Sequence, residues 1–72
     1  MKRTHKEIIL AILKVLRDGK THSYGDIERK ANTNWRTVRD NVELLVIFEC
    51  AIIKEDRISI AEFGKRVYEN SK

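Results

Sequence analysis

Seventy-two residues suffice for one compact domain over residues 1–72, but a chain this short buries only about 60% of the surface its unfolded form exposes. Cys50 is the sole cysteine, so an intrachain disulfide is excluded. The longest apolar run, residues 8–13, is too short for a bilayer, and the basic start at Lys2, Arg3 and Lys6 precedes no small-residue cleavage site, so a soluble cytoplasmic protein without a membrane partner is expected.

The charge of +4 is unevenly spread. Residues 1–39 hold ten of the 15 Lys and Arg and four of the 11 acids, leaving five and seven for residues 40–72. A basic half of this kind suits a polyanion such as nucleic acid.

In chain order, Thr4 and Glu7 form a T-x-x-E capping box that predicts a first helix ending near Gly19, with Gly19 suited to the C′ position. Ile9, Ile12, Leu13 and Leu16 recur along it at helical spacing as a core face. Ser23 caps a short second helix, with Asp26 in its first turn and Ile27 and Ala31 facing inward. Asn32, Thr33 and Asn34 break it. Asn34 then caps a third helix, residues 34–48, whose Trp35, Val38, Val42, Leu45 and Phe48 form the next apolar stripe.

After Cys50 the period changes. AIIK and RISIA read as two short strands joined at Glu55-Asp56, a tight turn without the glycine that primed turns prefer. A last helix, AEFGKRVYEN, places Phe63 and Val67 on one face. The expected class is α+β and mostly helical: three helices, a short two-stranded hairpin and a C-terminal helix.

That order, with TVRDNVELL in the third helix, AIIKEDRISI as strand, turn and strand, and AEFGKRVYE after it, resembles the winged helix-turn-helix DNA-binding proteins, particularly the small regulators common in archaea. The resemblance covers about residues 5–70. FECA stands where the family usually has a glycine after the third helix, and the wing is very short. It implies that the third helix lies in the major groove of double-stranded DNA with its N-terminal turns nearest the bases.

Helical geometry agrees, because at about 100° per residue Arg36, Asp40 and Glu43 lie opposite Val38, Val42 and Leu45, with Thr37 and Arg39 on the flanks. Arg36 and Arg39 are candidates for bidentate contact with guanine. Thr37 suits a phosphate or a thymine methyl, and Asp40 suits orienting an arginine or accepting from cytosine. Asn34 either caps its helix or meets a phosphate. Ser23 and Tyr24 begin the second helix, where anions are favoured; Lys20, Thr21 and His22 precede them, and Arg29, Lys30, Lys54 and Arg57 are candidates for the flanking backbone. Trp35 is read first as an inward anchor at helical spacing from Val38 and second as a DNA contact.

Surplus apolar residues, Ile8, Ile12 and Val15 on the first helix, Leu44 and Ile47 on the third and Tyr68 on the last, predict a homodimer packed through the first and last helices. The expected function is sequence-specific regulation, with repression by occluding a promoter as its simplest form. A protein-interaction module and a non-specific chromatin binder are the competing readings. No Gly-rich phosphate loop or paired-carboxylate site is present, so no catalytic residue, cofactor or small-molecule ligand is expected. His5, His22 and Cys50 make no recognisable metal pattern, and Cys50 reads as a small buried hydrophobe.

Overall fold

Each of the first three helices begins at a side chain that accepts a hydrogen bond from a backbone N–H three residues on. Thr4 accepts from Glu7 at 3.1 Å, Ser23 from Asp26 at 3.1 Å and Asn34 from Thr37 at 2.9 Å. A cap of this kind contributes about 1 kcal/mol, which matters most where a helix is too short to persist alone. At Thr4 the hydroxyl also donates to the Glu7 carboxylate, so the capping pair closes through side chains.

The computed structural model describes residues 4–71; Lys2 and Arg3, the expected basic start, lie outside them. The elements are α1 (His5–Leu16), α2 (Tyr24–Ala31), α3 (Trp35–Ile47), β1 (Ala51–Lys54), β2 (Arg57–Ile60) and α4 (Glu62–Asn70). α1 is the central packing element and touches α2, α3, α4 and β2. It stops earlier than expected: Arg17 is the cap, and Gly19 takes its positive φ of 78° out in the following loop.

α2 and α3 both end by turning into left-handed backbone. At Asn32, φ is 54°, and the N–H groups of Asn32 and Thr33 reach back to Arg29 and Glu28. At the end of α3, Glu49 takes the same conformation, φ 61°, while Cys50 N–H bonds to Leu45 O at 2.7 Å. Glu49 thus occupies the place of the missing glycine and bears the Cβ penalty of left-handed backbone.

The core is built from Ile12, Leu13 and Leu16 of α1, Ile27 and Ala31 of α2, Val38, Val42 and Leu45 of α3, and Cys50, Ala51, Ile58 and Ile60 at the hairpin. Three expectations need correction. Ile9 is half-buried. Phe48 is 64% exposed, because α3 has ended and its backbone serves as the C-cap. On α4 the buried residue is Gly64 and Phe63 is exposed, since the helix lies so close to the Cys50 carbonyl that a Cβ at position 64 would collide with it.

The hairpin pairs Ala51 with Ile60, Ile52 with Ser59, Ile53 with Ile58 and Lys54 with Arg57. Glu55 and Asp56 form its two-residue turn with φ of 51° and 62°, the positive pair that marks a type I′ turn. One further pairing extends the sheet: His22 and Ile58 exchange both backbone hydrogen bonds at 2.8 Å.

Glu49→Gly is expected to stabilise the protein by about 1 kcal/mol, the lower bound of the left-handed penalty for an L-residue, raising the thermal midpoint by roughly 4–8 °C for a domain of this size. A calorimetric scan of the two proteins checks it.

Candidate nucleic-acid interface

α3 presents two faces. Val38, Asn41, Val42 and Leu45 are buried, while Arg36, Arg39, Asp40 and Glu43 are exposed and Thr37 is half-buried on the flank. Asn41 is a polar member of the core that the apolar pattern does not reveal. Its Nδ2 donates to the Thr37 carbonyl at 2.7 Å, and its Oδ1 has no hydrogen-bond partner among the described residues. A buried acceptor left in this way costs about 1–3 kcal/mol.

Trp35 is not the inward anchor expected from its spacing to Val38. At the first position of α3 no neighbouring element covers it, and it remains 51% exposed. Its ring supports Arg39, whose guanidinium carbon lies 5.2 Å from the ring centroid, within the range of cation–π attraction. Arg39 Nε also pairs with Glu43 at 3.7 Å. Glu43, one turn further on, thus has the arginine-orienting place expected for Asp40, which makes no ion pair among the described residues. Asn34 spends its Oδ1 on the cap of α3.

Around the start of α2, Ser23 Oγ is likewise occupied as a cap. Tyr24 is half-buried, and burial raises its hydroxyl above the ordinary tyrosine value, with Arg39 pulling the other way. Arg57 reaches across from β2 to Thr21, donating to its carbonyl at 3.2 Å and its hydroxyl at 3.3 Å. Lys54 is exposed beside it, and the acidic pair Glu55-Asp56 forms the hairpin tip. Arg29 and Lys30 both lie 3.4 Å from Asp26 carboxylate oxygens.

His22, placed by the sequence among the loop candidates for phosphate, is instead 5% exposed. Its Nδ1 meets Asp26 Oδ2 at 2.5 Å and its Nε2 meets Asp18 Oδ1 at 3.0 Å. Burial opposes a charge on the ring, but the hydrogen bonds to Asp26 and Asp18 outweigh it and hold the pKa above the ordinary 6.5. The same bonds hold both carboxylates below their ordinary 3.8, helped at Asp18 by the Lys20 N–H. With both ring nitrogens occupied, neither is open to a metal ion.

No protein-family model and no curated protein matches the sequence. Among solved structures, IdeR of T. acidophilum superposes with a TM-score of 0.71 and 25% identity, over 94% of this chain and 33% of IdeR. Ligand-free NadR gives a TM-score of 0.71 at 15% identity, over 94% of this chain and 49% of NadR. Both are winged-helix regulators. The fold is a winged helix-turn-helix. The chain spans about a third of the one and half of the other. In the terms of this fold, α2 and α3 are the helix-turn-helix, α3 stands in the place of the recognition helix and the hairpin is the wing.

The residues expected at a dimer interface are scattered. Ile12 is fully buried and cannot touch a partner, because the helical stripe that carries it is the one seated on the core. Ile8 and Val15 are half-buried against that core, and Tyr68 is engaged by Arg17, whose guanidinium lies 5.8 Å from its ring. Leu44 is half-buried and Ile47 is 70% exposed. Among the described residues the other large exposed apolar side chains are Trp35 at the start of α3, Phe48 just past its end, Ile52 and Ile53 in β1 and Phe63 at the start of α4. Between the recognition helix and the wing, Tyr24, Val42, Val46, Ile47 and Ile53 line a shallow cleft of about 270 Å³. No helix among the described residues is long and apolar enough to cross a membrane.

The raised histidine contributes stability that is complete below its unfolded value of 6.5 and is lost as pH rises through the folded one. The lowered carboxylates contribute above their unfolded 3.8 and lose it as pH falls through their folded values. The urea midpoint is therefore expected to be highest between about pH 4 and pH 6 and to decline as pH rises above the ordinary histidine value of 6.5. In His22→Gln the alkaline decline should disappear; its persistence would assign the decline to another group.

Proposed function

We propose that this chain is a sequence-specific double-stranded DNA-binding regulator whose recognition helix enters the major groove. The observation that carries this reading is the division of α3: its buried stripe leaves Arg36, Arg39 and Asp40 together on the exposed side of its first turns. The capped start of α2 and the wing cations Lys54 and Arg57 supply groups for the phosphate backbone. Asp40 and Glu43 beside the arginines favour selective reading over uniform attraction to phosphate, because each acid repels a backbone it does not need to meet.

The protein acts in the cytoplasm as a binding protein and not as an enzyme, and it represses by covering a promoter. Its working form is a homodimer on a pseudo-palindromic site with half-sites about 34 Å apart. Ile47 and the half-buried Ile8, Val15, Leu44 and Tyr68 remain candidates for the subunit contact, and Phe48 and Phe63 join them on exposure.

A second reading, docking to another protein, is favoured by Phe48, Ile52 and Phe63, which lie away from the first turns of α3. Selection from random duplex DNA separates the two. A recovered palindrome is expected. On that site Arg39→Ala should weaken binding by about five- to 150-fold, from about 1–3 kcal/mol for a bidentate contact, and Arg36→Ala should weaken it too. If about six phosphates are neutralised, log K should fall against log salt with a slope of about −5. A selection that enriches nothing, with both variants binding DNA as the parent does, would leave the docking reading.

A further inference from the structure

Three side chains follow one flank of the recognition helix at four-residue intervals, and their chemistry is complementary. Trp35 offers a half-exposed ring, Arg39 lies over it at 5.2 Å, and Glu43 takes the Arg39 Nε at 3.7 Å. Arg36, three positions earlier and also exposed, has no ion pair and no ring contact among the described residues. The helix therefore carries one braced arginine and one loose one.

We propose that Trp35 is a positioning residue that makes Arg39 the base-reading arginine of this protein, specific for guanine. The inference rests on the DNA-binding reading above. The ring contact, 5.2 Å from guanidinium carbon to centroid, limits where the guanidinium can go, and the Glu43 carboxylate, 3.7 Å from Nε, draws it from the side. The end-on pair of Nη groups is left unpaired by Glu43, and this pair matches the spacing of guanine O6 and N7. An arginine free in solution must be ordered when it binds, and bracing removes part of that cost before DNA arrives. Arg36 lacks the brace, so its contact tolerates different bases or goes to phosphate.

This also accounts for a tryptophan at a position where the core gains little from it. Because Trp35 is 51% exposed, its removal should cost less stability than removal of a wholly buried residue such as Val38.

The test measures affinity for the selected duplex and for variants in which each guanine is replaced singly. Trp35→Ala should reduce discrimination at one guanine by about two- to tenfold, the range for ordering one long side chain, and leave the other positions as they were. Arg39→Ala should abolish discrimination at that same guanine, and adding Trp35→Ala to it should change nothing more. Trp35→Phe should restore most of the effect, and Glu43→Gln, which removes the other brace without touching the ring, should reproduce part of it.

An equal loss on every sequence, or a loss that persists in the Arg39→Ala background, would mean that Trp35 touches DNA itself and would overturn the proposal. So would full discrimination in both Trp35→Ala and Glu43→Gln. A parent protein with no base preference at all would remove the DNA-reading proposal along with this one, whereas a parent with preferences insensitive to Trp35 removes only this one.

Discussion

One buried residue joins the parts of this fold that must keep their mutual angle. The backbone of His22 pairs with Ile58 of the wing, while its ring is held between Asp18, in the turn that follows α1, and Asp26, in the first turn of α2. Loop, wing and helix-turn-helix therefore share a single joint. α2 leads to α3 through only Asn32, Thr33 and Asn34, with Asn32 locked in left-handed backbone, so an orientation set at the start of α2 is passed to the recognition helix. Arg57 reinforces the joint from the wing by binding Thr21 next door. An arginine that is thus occupied has less freedom to serve a phosphate than its exposed position in the sequence suggests.

Much of the scaffold was legible because its signals are local. Thr4, Ser23 and Asn34 announce helix starts through a bond to the backbone three residues on, which needs no knowledge of the tertiary fold. The stripes Ile12-Leu13-Leu16 and Val38-Val42-Leu45 follow from helical periodicity alone. The change of period after Cys50 marks the hairpin for the same reason. The type I′ turn was harder, because Glu55 and Asp56 enter positive φ without glycine, a choice that the pairing of Lys54 with Arg57 imposes.

What escaped the sequence depends on what packs against each residue from far along the chain. Periodicity puts Trp35 and Phe48 in the stripe of α3, yet both lie at its ends, beyond the reach of α1 and the hairpin that cover its middle. Ile12 belongs to two candidate stripes on α1, and only the arrangement of neighbours decides that it is wholly interior. His22 reads as one polar loop residue among several until Ile58 pairs with it from 36 positions away. Asn41 is concealed similarly, a polar residue whose amide turns back to its own helix at Thr37.

The surface that results mixes three chemistries: arginines with acids on the first turns of α3, the cations Lys54 and Arg57 on the wing, and apolar side chains towards the end of α3, β1 and the start of α4. The central claim is that the first of these meets DNA. Amide chemical shifts of isotope-labelled protein, followed as duplex DNA is added, test it most directly. The account predicts changes concentrated at residues 35–40, at Ser23 and Tyr24, and at Lys54 and Arg57. Changes confined to Phe48, Ile52 and Phe63, with the first turns of α3 silent, would contradict it.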